Sequence, residues 1–317
     1  MTHKIGVIGT GVIGRNMIDA MRRHPRFAGP IIWDINPQAA QRVQDEFDDV
    51  QIAADVATML AQPDVEAIYI ATPPSTHIAY CRQVLAAGKV IFCEKPLGID
   101  VAESQKLVAE VQAAGVPTAM NFGLATMPEV KKVEQQIRDS ELGDLVRLEI
   151  RHHFTTWPRG WQQNAAVWLA KRAEGGFLRE MFSHFVYVTN RLLGQMELQS
   201  GQVIFPKDGE TAETQVVAHF RCGDVPVLLM AGVGGAVPDY SEWTLYGTER
   251  TVRLDDWRGM QTATATDRFT DVPGDGSDLL LNQLSGLDLM LRGEAHDLPD
   301  LAAGLAVQQV VEGLLAL

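Results

Sequence analysis

Five short apolar runs recur through the first 122 residues: KIGVIG (4–9), GPIIWD (29–34), VEAIYIAT (65–72), KVIFCE (89–94) and VPTAMNF (116–122). Stretches with helical spacing separate them. In TGVIGRNMIDAMRRH, residues Ile13, Met17, Ile18 and Met21 share one face. PQAAQRVQDEF opens with proline in its first turn, where the missing N–H costs nothing. HIAYCRQVLAAG and DVAESQKLVAEVQAAG each end in glycine, as helix C-caps often do. Strands alternating with helices dictate right-handed βαβ crossovers, hence a parallel sheet covered on both faces. Residues 1–120 are expected to form one doubly wound α/β domain of the Rossmann type.

Gly9-Thr10-Gly11-Val12-Ile13-Gly14 falls between the first strand and the first helix. At such a turn the first glycine permits the tight bend and the second lets a pyrophosphate approach the backbone. The third allows close helix–strand packing, and the helix N-terminus attracts the anion. Gly9, Gly11, Val12, Ile13 and Gly14 are therefore candidate cofactor contacts. Asp34 stands at the end of the second strand, twenty residues past Gly14, where an acid meets the ribose hydroxyls. Its charge repels a 2′-phosphate, which favours NAD over NADP. The competing reading is a glycine-rich turn serving packing alone, with Asp34 capping the next helix.

After residue 120 the rhythm changes. A helix in MNFGLATMPEVKKVEQQIRDSELG precedes LVRLEIRHHF (145–154), MELQSGQVIF (196–205), ETQVVAHFRC (213–222) and VPVLLMAGVG (225–234), all strand-like. SEWTLYGTERTVRLD reads as a hairpin turning at Gly247, with a further short strand after Trp257. Turns rather than helices join these strands, so residues 121–317 are expected to form an α+β domain with a mainly antiparallel open sheet. An open sheet with one apolar face needs a cover, from helices or from another subunit. SDLLLNQLSGLDLMLRG and LPDLAAGLAVQQVVEGLLAL read as closing helices of that domain. Within EGGFLREMFSHFVYVTNRLLG (174–194), Glu180 and His184 stand four apart and on a helix share a face. A carboxylate beside a histidine fixes its tautomer, although a surface Glu–His pair fits the same spacing.

Composition narrows the partners. A net charge of −13 argues against nucleic acid and anionic membranes, while backbone N–H groups still allow a phosphate-bearing cofactor. Cys81, Cys93 and Cys222 show no CxxC spacing, which points to reduced thiols in a cytoplasmic protein without a zinc site. No apolar run approaches the ~20 residues that span a bilayer.

IFCEKPLGID (91–100) ends a buried strand in Glu94-Lys95-Pro96, a pair costly to desolvate unless compensated. Together with GVIGTGVIG, ATPPSTH (71–77), AAGKVIFCEKPLG (86–98), SELG and EGGFLREMFSH, this stretch makes nearly the whole chain resemble the Gfo/Idh/MocA oxidoreductases. The resemblance implies that Lys95 is the catalytic lysine, with Glu94 restraining it or lying near the nicotinamide. It implies that His184 is the acid/base and that Glu180 orients it. Thr72 and Pro73 join the cofactor edge, His77 reads as a helix-start or cofactor-edge residue rather than a metal ligand, and Asn121, Trp157, Arg159 and Trp161 join Lys95 and His184 around a carbohydrate-like substrate. Three tryptophans in RHHFTTWPRGWQQNAAVW suit sugar stacking, but equally a long loop pinned by buried rings.

The expected activity is NAD-dependent hydride transfer at a secondary alcohol of a sugar, cyclitol or related polyol, in a homodimer or homotetramer formed through the C-terminal sheet. Two alternatives are redox-neutral, NAD-assisted elimination or hydrolysis and an NAD-binding regulator. The chain departs from the family pattern at Glu180 (usually aspartate), at Glu174 and Phe182 (often glycine), at Gly123-Leu124-Ala125 (often an arginine-bearing segment) and at Tyr187 (often aspartate). These positions bear on substrate more than on cofactor.

Overall fold

A computed structural model describes residues 2–255, Trp257 and 259–317. The chain forms two compact units, residues 1–123 with 278–305, and residues 124–277 with 306–317.

The first unit holds six parallel strands: β1 (Lys4–Ile8), β2 (Ile31–Trp33), β3 (Gln51–Ile52), β4 (Val65–Ile70), β5 (Val90–Glu94) and β6 (Thr118–Asn121). Helices α1 (Val12–Arg23), α2 (Pro37–Glu46), α3 (Val56–Leu60), α4 (Pro74–Ala86) and α5 (Val101–Ala114) connect them. The order is β3-β2-β1-β4-β5-β6, so the chain reverses direction across the sheet beside β1. A doubly wound sheet binds ligands at that switch, outside the carboxyl ends of its strands. The two-residue β3 and the short α3 carry too little periodicity to be read from sequence.

The second unit contains α6 (Pro128–Arg138), β7 (Leu145–Phe154), the one-turn α7 (Ala166–Leu169) and a π-helical turn at Leu178–Phe182 that runs into α8 (Ser183–Leu193). Then follow β8 (Glu197–Ile204), β9 (Gln215–Cys222), β10 (Val225–Val233), β11 (Tyr240–Gly247), β12 (Thr251–Asp255), β13 (Gly259–Ala263) and β14 (Thr270–Val272). The eight strands are ordered β14-β13-β12-β11-β7-β10-β9-β8. All neighbours are antiparallel except β7 and β10, which pair parallel over Leu148–Phe154 and Val227–Val233. The long excursion between those two strands supplies the crossover that a parallel pair requires. In β9, Val216, Ala218, Phe220 and Cys222 are buried while the intervening residues are exposed. The buried face lies under α8, with Phe182 against Phe220 and Phe185 against His152.

The chain ends with α9 (Leu279–Leu291) and α10 (Leu301–Leu315). Here the division differs from a single cut near residue 120, because α9 belongs to the first unit. Its Leu284, Leu287 and Met290 join Met17 and Met21 of α1 in one core, so the apolar face of α1 is completed by residues from the far end of the chain. Polar contacts fix the same junction. Asp288 accepts from His3 Nε2 at 2.9 Å, from Arg26 Nε at 2.9 Å and from Arg292 Nη2 at 3.0 Å. Burial alone would raise the Asp288 carboxyl, but these three donors hold it at about 2. Among the described residues, no helix is long and apolar enough to cross a membrane.

Candidate active site

The glycine loop is shaped by collisions that any side chain would cause. Gly9 has φ +97°, and a Cβ there would stand 2.5 Å from the Ala71 carbonyl oxygen. A Cβ on Gly14 would stand 2.0 Å from the Gly9 oxygen, whereas one on Gly11 would meet nothing within 4 Å. The outer glycines thus serve backbone packing, and the middle one leaves open the approach that a pyrophosphate needs. Val12 and Ile13 follow as exposed apolar residues in the first turn of α1. Asp34 is held by the loop itself: its Oδ2 accepts the Thr10 N–H at 2.7 Å and the Thr10 hydroxyl at 2.9 Å, and Oδ1 accepts the Asn36 N–H at 2.8 Å. Asn36, not Asp34, caps α2, by accepting from Gln38 N. This arrangement fits a dinucleotide with free ribose hydroxyls.

Three strand ends meet at the Glu94 carboxylate. Tyr69 of β4 donates its phenol to Oε1, and Asn121 of β6, directly opposite Glu94 in register, donates its amide to the same oxygen. Asn121 also donates to the Tyr69 oxygen at 2.9 Å. Burial first, and then the Glu94 charge, push the Tyr69 phenol well above its ordinary value, so it remains a donor. The Lys95 N–H reaches Glu94 Oε2 at 3.3 Å, so the lysine leaves the sheet from a pinned residue.

His77 lies near the start of α4. Its side chain is fully buried, with Nδ1 2.8 Å from the Pro96 oxygen and Nε2 2.8 Å from the Thr72 oxygen. It ties the loop after β4 to the loop after β5. Thr72 and Pro73 form the turn into α4, Pro73 at the N-cap. Tyr69 escaped notice in the sequence. The available signal was a phenol in a strand buried on both faces, which needs a partner.

In the second unit, Glu180 lies in the π-turn and His184 in the first turn of α8. A π-turn replaces the regular 3.6-residue spacing on which a shared helical face was expected, and such turns recur at functional sites. The Glu180 Oε1 accepts from Gln162 Nε2 at 3.2 Å, and Gln162 Oε1 accepts from Arg159 N at 3.1 Å and Arg159 Nε at 3.2 Å. His184 is buried with its ring edge-on to Trp257, centroids 4.6 Å apart. Trp257 holds φ at +68°, a conformation rare for a bulky residue and met mostly where structure or function demands it.

The tryptophans divide the two readings of their loop. Trp157 donates its indole N–H to the Leu169 oxygen at 3.1 Å and packs on Phe154 and Phe177, which makes it an anchor. Trp161 is 56% exposed, with the Arg159 guanidinium 4.8 Å from its ring. Beneath α8, His152 bonds Ser241 Oγ at 3.0 Å, and its buried Nε2 has no hydrogen-bond partner among the described residues. Burial, and then the charge on Arg159, lower its pKa to about 3, so the ring is neutral.

The glycine pair ahead of the π-turn is not merely a flexible entry. A Cβ on Gly175 would lie 2.3 Å from the Leu169 oxygen, and one on Gly176, at φ +95°, would lie 2.2 Å from Glu213 Oε2. Gln162, Trp257 and Glu213 carried no sequence signal, since each acts by meeting a residue far away in the chain.

Two family models match the chain. The GFO/IDH/MocA oxidoreductase family model, NAD-binding Rossmann fold, covers residues 3–122, and the GFO/IDH/MocA C-terminal domain model covers residues 130–253. An inositol 2-dehydrogenase of Gluconacetobacter diazotrophicus is 37% identical over 232 residues, 72% of this chain and 64% of its own length. The chain therefore spans just under two-thirds of that relative. A Desulfitobacterium hafniense structure, described as an NADPH-dependent oxidoreductase, superimposes with TM-score 0.86 at 16% identity, over 100% of this chain and 95% of that one. Levoglucosan dehydrogenase in complex with NADH gives TM-score 0.82 at 18% identity, over 100% and 96%. At these identities the two structures speak for the fold.

Proposed function

The chain belongs to the GFO/IDH/MocA oxidoreductase family, and from that premise we propose that it is an NAD-dependent dehydrogenase acting on a secondary alcohol of a cyclitol, sugar or related polyol. Residues 3–122 are the family's NAD-binding Rossmann domain. Bound NAD would supply the hydride acceptor for the substrate carbon. One observation carries the reading: Lys95 leaves the carboxyl end of β5 directly after a glutamate pinned by Tyr69 and Asn121. An ammonium carried on that edge would stabilise negative charge as it develops on the substrate oxygen.

His184 is assigned the hydroxyl proton, for which an imidazole suits exchange near neutral pH. Glu180, held by Gln162, orients it. Arg159 and the exposed Trp161 are assigned to substrate hydroxyls and sugar C–H faces, and Asn121 acts through Glu94. Asp34, fixed by Thr10, disfavours a 2′-phosphate and supports NAD over the NADPH for which the Desulfitobacterium protein is named.

The open face of the second unit's sheet exposes Val217 (57%) and Met230 (54%) among ion pairs such as Arg147–Glu149. We assign that face to a homodimer or homotetramer of a cytoplasmic protein. Sedimentation of the purified chain checks it, and a monomer at micromolar concentration refutes it.

The activity test mixes protein and NAD+ with myo-inositol, levoglucosan and pooled polyols, following NADH absorbance. NADH formation from one pool, lost in Lys95→Ala, is the expected result. Confirmed NAD+ binding without NADH from any pool would remove the dehydrogenase reading.

A further inference from the structure

Glu213 leads into β9 and is 2% exposed. The segment before it is zipped to the segment before the glycine pair. The Arg172 N–H donates to the Glu210 oxygen at 2.7 Å, the Ala212 N–H to the Ala170 oxygen at 2.9 Å, and Lys171 and Thr211 form an antiparallel bridge. This pairing delivers the Glu213 carboxylate onto the bare face of Gly176, where Oε1 accepts the Leu178 N–H at 2.7 Å. Leu178 opens the π-turn, whose own N-cap, Phe177, offers no side-chain bond. First-turn N–H groups have no partner inside their helix. A carboxylate from a separate part of the chain therefore serves as the cap. Among the described residues its Oε2 has no hydrogen-bond partner.

We infer that Glu213 is a positioning residue: through Leu178 it fixes the register of the π-turn that carries Glu180 and of the helix start that carries His184, and it does so in its ionised form. Its catalytic consequence rests on the dehydrogenase reading above. The charged groups acting on it are Arg179 of the π-turn and Glu312 of α10, and the neighbouring segments carry Lys171, Arg172, Glu174, Asp208 and Glu210. Arg179 is committed to Glu312, at 2.6 and 2.8 Å, and to the Arg172 and Gly175 oxygens. Lys171 pairs with Glu210 at 2.9 Å, and the Arg172 guanidinium lies 3.8 Å from the Phe205 ring centroid.

Burial dominates and raises the Glu213 carboxyl from 4.5 to about 7, against the pull of the Leu178 N–H and Arg179. The folded chain therefore holds this proton more tightly than the unfolded chain. The stability this contributes is complete below about 4.5 and is lost as pH rises to about 7. The cap strengthens over the same interval, because a carboxylate accepts more strongly than a carboxylic acid. Stability and positioning thus pull in opposite directions at one group.

Glu213→Gln separates them, since it keeps an acceptor for Leu178 and removes the charge. At pH 8 its Tm should exceed that of wild type by a few degrees, and at pH 5 the difference should vanish. With myo-inositol and NAD+, kcat at pH 8 should fall roughly tenfold with KM for NAD+ unchanged, and the pH profile should lose the ionisation that Glu213 contributes while keeping that of the acid/base His184. A cap with a purely structural role would move Tm and kcat together. Glu213→Asp, one methylene short of Leu178, should keep the pH dependence of Tm and still lose kcat.

A second readout needs no substrate. NMR titration of the His184 ring, assigned with His184→Asn, should show an extra inflection near pH 7 in wild type and none in Glu213→Gln. If wild type turns over neither myo-inositol nor levoglucosan, the dehydrogenase reading suffers while this titration still decides Glu213. A single inflection in both proteins, with the variant no more stable than wild type at pH 8, overturns the proposal.

Discussion

Each unit fixes a glutamate beside the residue assigned to chemistry, and they do so by opposite means. In the first, Glu94 sits at a strand end and its partners come from the adjoining strands, so the sheet's register delivers all three side chains together. In the second, Glu180 sits on a π-turn, and the groups that hold the turn and the carboxylate come from a loop and from the lead into a distant strand. The sheet edge inherits its order from backbone pairing that would exist anyway. The helix entry depends on particular side chains meeting, so it tolerates drift in sequence less and offers more points at which to be tuned.

That contrast breaks most directly at Lys95. Lys95→Ala should lower kcat by about 10³-fold, or ~4 kcal/mol, while leaving NAD+ affinity within a few-fold. Steady-state rates beside calorimetric NAD+ titration check this, and a joint loss of binding would mean that the lysine serves the cofactor.

Gly176→Ala probes the other unit. The new Cβ would meet the Glu213 carboxylate at a φ that alanine rarely adopts, so a loss of ~3 kcal/mol in kcat, or about 10²-fold, is expected with NAD+ affinity unchanged. Equal damage to cofactor binding would erase the distinction between the units.

Asp288→Asn sharpens the comparison through stability. Asp288 has a folded pKa of about 2 against an ordinary 3.8, so its contribution is present above 3.8 and is lost as pH falls through about 2. Urea melts at pH 7 should show the variant weaker by ~2 kcal/mol, with the two proteins converging at pH 2. A constant gap across that range would mean packing, not charge, ties α9 to α1. The smallest effect is expected for Asp34→Ala: a roughly tenfold shift of kcat/KM from NAD+ toward NADP+, or ~1.4 kcal/mol, measured by parallel initial rates.

These differences explain what could be read in advance. The Rossmann topology, the glycine loop and Asp34 were legible because each rests on local spacing: apolar runs, glycines where side chains collide, an acid at a strand end. The strands of the second sheet from β7 at 145–154 through the hairpin at Gly247 to the short β13 were legible for the same reason, whereas the three-residue β14 carried too little pattern. The surroundings of His77 were not legible, because its motif position says nothing about which way the ring faces, and burial between two carbonyls is a tertiary fact. The π-turn hides inside an ordinary helical pattern. Gln162 and Glu213 look like surface residues until the chain folds back on them, and α9 looks like a cover for the sheet nearest to it in sequence.

That last placement has a consequence for synthesis. The first 123 residues leave the ribosome with the apolar side of α1 uncovered, and its remaining cover, α9, is made roughly 150 residues later. At ordinary elongation rates this is an interval on the order of ten seconds or more, during which Met17 and Met21 lack their final neighbours. The nascent nucleotide-binding unit is thus obliged to wait for its own last piece, and a ribosome stalled in the second sheet holds a chain that chaperones should recognise by exposed methionines.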